Sequence, residues 1–478
     1  MRDFGIEVDR MKRIFFGMMI TALAGCSMAP SYERPSSPTA EVYPKGDGKT
    51  TEAVLGVRQL GWRGFFNDAR LRELIAQALL NNRDLRIAME RVKEARGLYG
   101  IQRADQLPNI SGDAMAARAR VPSDLSPTGR SITSGEYTAT LNLSAWELDF
   151  WGRVRNLTEA ALESYLATEE AQRAVVISLI EEVANAYLRE RELDERVDIA
   201  QQTLATREES YRITKRRYEM GTASKLDAVE AETLLNQARA DLPLLQRQRD
   251  QNHNALTLLV GVPVVSGGTE PLSRIEPGFV REISAGLPSD LLLNRPDILA
   301  AEHRLKAANA NIGAARAAFF PRIVLTGGLG TASAELSGLF GAGSGFWSFA
   351  PSLTLPIFQG GRNLANLDVS EARRNLAVAE YERTIQVAFR EVADALADRH
   401  WLAEQVAAQQ ATVAAQVERA RLAGLRYERG VAPYLEFLDA ERDRFVAEQA
   451  LVQARRLLLS SSVTLYAALG GGTGTETQ

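Results

Sequence analysis

Side chains able to carry acid–base, nucleophilic or metal chemistry are sparse in this sequence. The only cysteine is Cys26, and the three histidines, His253, His303 and His400, stand far apart. A single thiol forms neither an intrachain disulfide nor a cysteine metal cage. The chain also has no serine nucleophile motif and no phosphate-binding loop. The sequence therefore predicts neither an enzyme nor a metal site, and a net charge of −4 gives no indication of a nucleic-acid partner.

An internal repeat includes two closely spaced carboxylates. Glu436 and Asp439 are three residues apart, which places both on one face of a predicted helix. They lie within residues 426–441, a stretch related to residues 217–232. Tyr218, Gly221 and Asp227 of the earlier stretch correspond to Tyr427, Gly430 and Glu436, each 209 positions later. Each stretch joins a long helical run to a second one through a glycine turn, so the sequence predicts a duplicated long-helix hairpin.

The N-terminus has the pattern of an export signal. Lys12 and Arg13 precede a short apolar run, residues 14–22, and Leu23-Ala24-Gly25-Cys26 closes it with small residues. The run is too short to span a bilayer, so it predicts a cleavable signal, residues 1–25, with Met11 as the true start. Its end resembles a bacterial lipoprotein signal. We therefore expect Cys26 to carry diacylglyceryl and N-acyl chains, and Ser27 to direct sorting to the outer membrane.

The remaining chain divides into two repeats. A linker (26–66) precedes repeat 1 (67–266), a connection (267–288) leads to repeat 2 (289–470), and a polar tail (471–478) is predicted to be disordered. Repeat 1 is predicted to hold strands at about 108–121 and 136–148 and a helix hairpin at 153–260, with Pro243 interrupting its return helix. Repeat 2 is predicted to hold strands at about 321–333 and 346–357 and a helix hairpin at 362–469.

The predicted strands alternate between an apolar and a polar face. The second strand places Tyr137, Ala139, Leu141, Leu143 and Ala145 on its apolar face. Four strands cannot close a membrane barrel, which needs at least about eight, and an open sheet edge in lipid is very costly. In a membrane the chain must therefore oligomerise, and the small polar inner face favours a water-filled ring of three copies over a ring of two. A soluble sheet packed on the helices is the alternative, which the export signal disfavours.

The helical hairpins contain very long runs without proline. Roughly 65 residues at about 1.5 Å each give a rod on the order of 100 Å, which no compact domain encloses. Apolar positions spaced four and three apart form a coiled-coil seam along it. Rods packed side by side as a continuation of the barrel would make a hollow conduit into the periplasm, with Gly221 and Gly430 at its far end. A structural lipoprotein whose helices act only as spacers is the alternative.

The ordered set of features resembles one family. Gly361-Arg362 opening a helix, Tyr427-Glu428-Arg429-Gly430 and residues 435–440 are similar to the TolC-like outer membrane factors, and most similar to the NodT-like lipoprotein channels that serve RND-type drug pumps. The resemblance implies a mostly α protein with a membrane β part. Its expected form is a homotrimeric twelve-stranded β-barrel continuous with a twelve-helix periplasmic α-barrel, built from an internal duplication.

The resemblance also implies a function. The chain is expected to be the outer-membrane channel of a tripartite efflux system that exports drugs or other small molecules. Its expected partners are two further copies, a periplasmic adaptor protein, an inner-membrane pump of the RND type and outer-membrane lipid, with no cofactor besides the lipid on Cys26. An outer-membrane conduit for type I protein secretion is the alternative.

Roles for residues near the two turns follow from the same resemblance. A gate at the periplasmic tip is expected to involve Asp439, Glu436, Asp227 and Tyr427, with Glu436 and Asp439 forming stacked carboxylate rings in a trimer. The adaptor is expected to dock at the turns, on Gly221, Gly430, Arg217, Arg426 and Arg429. The family's best-known member has an arginine two residues after the second glycine. This chain has Ala432 there, so a gate bond that needs a basic group at that position is not expected.

Overall fold

The computed structural model describes residues 27–44, 60–265, 271–276, 279–280 and 290–472. The expected signal segment (1–25), Cys26, most of the connection 267–288 and residues 473–478 lie outside the described residues. The described chain divides into two compact units. The first lies within Met1–Ser36, Val92–Thr168 and Ala300–Tyr381, and the second within Ser37–Arg91, Glu169–Leu299 and Glu382–Gln478.

The described helices and strands follow a pattern that occurs twice. After α1 (Trp62–Phe65) come α2 (Ala69–Asn81), α3 (Arg83–Ala104), β1 (Ile110–Val121), β2 (Ile132–Leu148), α4 (Arg153–Glu219) and α5 (Lys225–Val260). A short helix, α6 (Leu272–Ile275), precedes α7 (Leu291–Asn294), α8 (Pro296–Ala317), β3 (Arg322–Ser333), β4 (Gly345–Thr354), α9 (Arg362–Glu428) and α10 (Tyr434–Ala468). The protein is thus mostly α-helical with one β part. No helix in the described ranges has the length and apolar character needed to cross a membrane.

The strands form one antiparallel sheet in the order β1-β2-β3-β4, so that β1 and β4 are its edges. Leu141 pairs with Gly112 on one side and with Leu329 on the other, and Leu329 pairs with Trp347. Because directly paired residues share a face, one mainly apolar face runs across all four strands. Trp347 and Leu329 are 78% and 60% exposed, so the described chain leaves this face open.

A β-bulge in β2 corrects the predicted alternation of that strand. Leu143 pairs with Gly327 and Trp146 with Leu325, so two residues of β2 stand opposite one residue of β3. Ala145, inside the bulge, has a positive φ of 45°. The extra residue returns Trp146 to the apolar face. Ala145, which the alternation assigned to that face, belongs to the bulge instead.

The strand ends differ from the sequence prediction by a few residues. β2 begins at Ile132 rather than at 136 because its pairing with β1 continues to Val121. β4 ends at Thr354 rather than at 357 because its partner strand, β3, begins at the paired residue Arg322. Hydrogen bonding between strands, which the alternation does not report, sets these limits.

Polar contacts hold the first described residues, which we call the N-terminal strap (27–36), against α8. The nearly buried carboxylate of Glu302 accepts two hydrogen bonds from Arg34, at 2.7 and 3.1 Å, and one from Tyr32 at 3.0 Å. The side-chain amide of Asn309 donates to the carbonyl of Pro30 at 2.7 Å. A Cβ at Gly313 would lie 2.6 Å from the strap backbone, so this glycine makes room for the strap.

The predicted linker (26–66) is not extended throughout. Its last residues form α1, and Phe65 is fully buried. The Phe65 ring stacks on Tyr466 with centroids 4.0 Å apart, and the Tyr43 ring stacks on Phe389 at 5.1 Å. Burial of these large rings is favourable, so the aromatic side chains anchor this segment to the second unit.

Helix α5 continues through Pro243, where the sequence predicted an interruption. Proline removes one backbone donor and disfavours a helix interior. Here the neighbouring residues Leu242 and Leu245 pack in one cluster with Val197 of α4 and Phe445 of α10. These tertiary contacts outweigh the local preference and keep the helix continuous.

Each return helix ends at a glycine with the same surroundings. Gly261 after α5 has φ 77°, and Gly470 after α10 has φ 80°. A Cβ would lie 2.5 Å from the carbonyl oxygen of Asn81 at the first glycine and 2.5 Å from that of Asn294 at the second. Glycine alone suits both the conformation and the space. The duplicated sequence thus folds into duplicated local structure.

The chain remains ordered slightly beyond the predicted end of repeat 2. Gly471 donates its N–H to the carbonyl of Tyr466 at 2.9 Å, and Gly472 has φ 100°. These residues form a turn against the end of α10. The predicted disordered tail (471–478) is therefore wrong for its first two residues.

Candidate functional site at the helix turns

The two hairpins reverse through turns of the same geometry. Between α4 and α5, Gly221 has φ 74° and donates its N–H to Tyr218 (2.9 Å), while Thr222 donates to Arg217 (2.8 Å). This Schellman pattern ends a helix with a left-handed residue. The corresponding bonds of the second turn join Gly430, with φ 72°, to Tyr427 (2.9 Å) and Val431 to Arg426 (3.0 Å).

The return helices begin differently in the two repeats. Ser224 caps α5, because its hydroxyl accepts from the Asp227 N–H at 3.1 Å and the Asp227 carboxylate accepts from the Ser224 N–H at 2.9 Å. Such a capping box satisfies two free N–H groups at the helix start. The corresponding positions of α10 hold Pro433, which has no capping side chain, and Glu436. The structure therefore gives Asp227 a capping contact that Glu436 does not make.

Each carboxylate predicted to ring the gate has an arginine partner in its own chain. A carboxylate oxygen of Glu436 lies 3.3 Å from Nη1 of Arg426, and one of Asp439 lies 3.1 Å from Nη1 of Arg442. Both carboxylate side chains are 38% exposed. The pairs are therefore weak, worth about 1 kcal/mol or less, but they partly neutralise the two charges predicted to form rings at the gate.

The charged surface continues one helical turn further along α10. Asp443 lies 2.8 Å from Nη1 of Arg419 on α9 and 3.4 Å from Nη2 of Arg442. The hydrogen bond from Arg419 is the main cause that lowers the pKa of the Asp443 carboxyl, with a smaller contribution from Arg442. Arg442 thus bridges Asp439 and Asp443.

Tyr427 lies at the centre of an aromatic cluster. Its ring centroid is 4.8 Å from that of Tyr434 and 6.3 Å from that of Phe437. Arg217 donates to the Tyr427 hydroxyl at 2.6 Å, and its guanidinium lies 5.5 Å from the ring centroid. Ser210 and Tyr434 share a short hydroxyl hydrogen bond. The cluster joins α4 of repeat 1 to α9 and α10 of repeat 2, and it brings a predicted docking residue to a predicted gate residue.

Small residues on α9 make room for Phe437. Ala420 and Ala423 are buried with Ala440 in a cluster against which Phe437 packs. A Cβ at Gly424 would lie 3.4 Å from the Phe437 ring. Small side chains on facing helices let their axes approach closely, so α9 and α10 are held tightly just behind the turn.

The outer surfaces of both turns carry exposed apolar side chains. Leu226 and its counterpart Leu435, each at the second position of a return helix, are 65% and 47% exposed. The predicted docking residues Gly221, Gly430 and Arg429 are exposed beside them. Apolar side chains clustered with cations on a surface are typical of a contact with another protein.

Several residues of this site are absent from the sequence predictions. Arg442 follows Asp439 by three positions, and that opposite-charge spacing on one helix face is a signal that points to the pair. Ser210 and Tyr434 are 224 positions apart, and no local pattern announces their contact. The missed residues include Ser210, Ser224, Arg419, Tyr434, Phe437, Arg442 and Asp443.

Within the described ranges, no group of three or more histidine, cysteine, aspartate or glutamate side chains is arranged to hold a metal ion. The contacts described at the turns are electrostatic and steric. Charged and aromatic contacts join helices behind the turns, and apolar and cationic groups lie on the outer surface of the turns.

A family model for outer membrane efflux proteins matches residues 74–262 and 287–471. The chain belongs to the outer membrane efflux protein family. The resemblance found in the sequence is thereby confirmed, and so is the expectation of an efflux component rather than an enzyme.

Relatives of this efflux protein match it over nearly its whole length. The toluene efflux pump outer membrane protein TtgC of Pseudomonas putida is 46% identical over 466 residues, which cover 97% of this chain and 96% of the relative. The outer membrane protein OprJ of Pseudomonas aeruginosa is also 46% identical over 466 residues, 97% of each chain. The open-state crystal structure of the Neisseria gonorrhoeae MtrE outer membrane channel matches with a TM-score of 0.85 and 41% identity over 95% of this chain and all of that one.

Proposed function

We propose that this efflux protein is the outer-membrane channel of a tripartite efflux system and acts as a homotrimer. The observation that carries the proposal is the open sheet, whose edges at β1 and β4 pair with no other strand in the described chain and whose apolar face is exposed. Unpaired strand edges cannot face lipid. Three copies remove them if β4 of each copy pairs with β1 of the next, which closes a twelve-stranded barrel.

The two faces of the sheet suit lipid outside and water inside. The apolar face carries Trp347, Leu329 and Leu141, whereas the opposite face carries Thr138, Asn142 and Ser348, with Gly328 and Gly330 on β3. Small polar side chains and glycines line a channel without filling it. The four long helices of each copy continue the barrel as a twelve-helix periplasmic α-barrel.

The N-terminal strap supports the proposed lipid anchor. The strap begins directly after Cys26 and is held on α8 within the same unit as the sheet. Acyl chains on Cys26 would add to the membrane attachment of the barrel. Replacing Cys26 with Ser is expected to abolish labelling of the protein by radioactive palmitate. Persistent labelling of Cys26→Ser would contradict this assignment.

The turns are the proposed contact for a periplasmic adaptor, which links the channel to an inner-membrane pump of the RND type. Exposed Leu226 and Leu435, beside the glycine turns and Arg429, support this assignment. Relatives carry names that refer to toluene, solvents and antibiotics. These names favour small-molecule export over the secretion of proteins.

The aromatic cluster and the ion pairs behind the turns are the proposed gate. The hydrogen bond between Arg217 and Tyr427 connects the two hairpins, and the ion pair between Arg426 and Glu436 joins α9 to α10 across the second turn. Breaking these contacts would free the hairpins to separate. In this proposal the turns hold the channel closed at rest and are released when the adaptor docks.

One set of measurements tests the proposal. We expect the protein purified from outer membranes to be a trimer that conducts ions in planar bilayers, and a deletion strain to become more susceptible to drugs or solvents. A monomer that gives no conductance, together with unchanged susceptibility, would overturn the channel assignment. Restored secretion of a protein, rather than restored drug tolerance, on complementation would indicate type I secretion.

A further inference from the structure

Two carboxylates stand on the polar face of the sheet without an ion pair in the described chain. Asp113 on β1 is opposite Thr140, and Glu136 on β2 is opposite Ala117. Both are exposed. Thr140 and Ala117 are on the face opposite to that of Leu141, so both carboxylates project to the side that the proposed barrel turns toward its lumen.

The Asp113 carboxylate is held in place by its neighbours. One of its oxygens accepts from the side-chain amide of Asn142 at 2.7 Å and from the hydroxyl of Ser111 at 2.9 Å. Asn142 needs space on β3, and Gly328 supplies it, because a Cβ there would lie 2.7 Å from the Asn142 side-chain oxygen. The charge is thus fixed in orientation yet open to water.

The third carboxylate of this face is neutralised. Glu147, at the end of β2, lies 2.7 Å from Nη2 of Arg153 and 2.6 Å from Nε of Arg322. Because Arg153 and Arg322 form ion pairs with Glu147, they do not neutralise the negative charges of Asp113 and Glu136. The polar face therefore carries excess negative charge away from its junction with the helices.

We propose that Asp113 and Glu136 make the lumen selective for cations at the level of the sheet. The inference rests on the proposed trimer, in which each residue occurs three times around the lumen. Asn142 acts as a positioning residue for Asp113. This selectivity lies in the sheet and is separate from the acidic residues near the turns.

The width of the proposed barrel determines the range of salt concentration in which Asp113 and Glu136 influence ions in the lumen. Twelve tilted strands about 4.8 Å apart close a ring with a backbone radius of about 12 Å. The electrostatic potential of charges on its wall extends to the axis only when the Debye length is comparable to this radius. The Debye length is about 10 Å at 0.1 M salt but only about 3 Å at 1 M. Selectivity from the sheet must therefore fade at high salt, whereas selectivity from a narrow tip persists.

The test is the reversal potential of the purified trimer in planar bilayers under a KCl gradient. We expect Asp113→Asn with Glu136→Gln to lower the ratio of K⁺ to Cl⁻ permeability on the order of three-fold near 0.1 M salt and to leave it unchanged near 1 M. Asp113→Glu, which keeps the charge, should behave like the wild type. Measuring each variant also with Glu436→Gln and Asp439→Asn removes the two carboxylate rings predicted at the tip from the comparison.

The outcomes separate this inference from the proposed function. A conducting trimer whose low-salt selectivity is unchanged by the double variant overturns the role of Asp113 and Glu136 and leaves the channel intact. A wild-type protein that neither trimerises nor conducts overturns the channel itself. If the double variant does not assemble, Asp113→Cys labelled with a cationic or an anionic thiol reagent gives the same test. The cationic label should lower the permeability ratio and the anionic label should preserve it, and equal ratios would overturn the inference.

Discussion

Arg217 of the first hairpin donates a hydrogen bond of 2.6 Å to the hydroxyl of Tyr427 of the second, with its guanidinium 5.5 Å from the ring centroid. The bond connects the ends of α4 and α9, which occupy corresponding positions in the two repeats. The reciprocal pair, Arg426 and Tyr218, makes no such contact in the described chain, because Arg426 lies against Glu436 instead. This link between the duplicated turns is therefore asymmetric.

Replacing Tyr427 with Phe should weaken that link. The variant loses the hydroxyl acceptor of Arg217 but keeps the ring contacts with Tyr434. A hydrogen bond of this kind contributes about 1 kcal/mol, which corresponds to about a five-fold change in the ratio of closed to open channel. We expect a higher open probability in planar bilayers. Tyr218→Phe is the matched control and should conduct like the wild type, whereas equal behaviour of both variants would argue against a special role for Tyr427.

A capping box like that of α5 can be introduced at the start of α10, which has none. Pro433→Ser combined with Glu436→Asp restores the residues that cap α5, so the new carboxylate should accept from the N–H of residue 433 and leave Arg426. We expect about 1 kcal/mol of added stability at this helix start and a higher single-channel conductance.

The same positions in repeat 1 supply the control for that experiment. Ser224→Ala should cost about 1 kcal/mol, because α5 loses its cap, and should leave the conductance unchanged. If the rebuilt box in repeat 2 also left conductance and cation preference unchanged, Glu436 would have no part in the gate.

Asp439 offers an independent test of the carboxylate rings. Asp439→Ala removes the charge and releases Arg442, which can still contact Asp443. Fewer negative charges in a narrow lumen should raise single-channel conductance and weaken the preference for cations. Arg442→Ala leaves Asp439 unpaired and should strengthen that preference. Opposite shifts in the two variants would support the ring, and the absence of any shift in either would remove Asp439 from the gate.

The turn glycines should tolerate no β-branched residue. Gly221 and Gly430 have φ values of 74° and 72°, a region that costs other residues about 1–2 kcal/mol. We expect Gly221→Val with Gly430→Val to abolish efflux in a susceptibility assay while trimers persist. Gly100→Val on α3 is the control, because a Cβ there meets no atom within 4 Å and the backbone has no positive φ. Normal efflux from the double variant would contradict docking at the turns.

The N-terminal strap should make stability depend on pH. Burial raises the pKa of the Glu302 carboxyl, but the hydrogen bond from Arg34 and the charge of Lys306 outweigh it, so the net effect is a lowered pKa. A carboxyl whose pKa is lower in the folded state stabilises the fold above its ordinary pKa, and this contribution is lost as pH falls through the folded-state value. The thermal midpoint of the mature protein in detergent should therefore fall in acid.

Two variants locate that dependence at the strap. Arg34→Ala leaves the nearly buried carboxylate of Glu302 with only Tyr32 and Lys306 as partners and should cost about 2 kcal/mol at neutral pH. Glu302→Gln removes the titrating group, so its thermal midpoint should vary less with pH than that of the wild type. An equally steep acid response of Glu302→Gln would place the dependence elsewhere.

Local signals identified much of the architecture before the fold was known. Gly152 followed by Arg153 and Gly361 followed by Arg362 mark the starts of the two longest helices, because glycine ends the preceding segment and no proline interrupts the helical run after it. The glycine turns and the order of strands and helices could be predicted from the sequence for the same reason. Conformational preferences of single residues act over a few positions, and the sequence displays them directly.

Features that depend on contact with another helix or strand could not be predicted in this way. The bulge at Ala145 arises from the pairing of β2 with β3, and the continuity of α5 at Pro243 arises from packing against α4 and α10. The contact between Arg217 and Tyr427 likewise depends on which helices lie side by side. The residues predicted for the gate lie near the helix turns, but the side chains that they contact could be identified only from the structure.

The unlike starts of the two return helices have a consequence for whatever binds the turns. In the proposed trimer, turns followed by Ser224 and Asp227 would alternate around the ring with turns followed by Pro433 and Glu436. A binding protein with identical modules would meet two chemically different binding sites in succession. Such a protein must either bind through the features that both sites share, the glycine and the exposed leucine, or distinguish the two sites and bind only every second one.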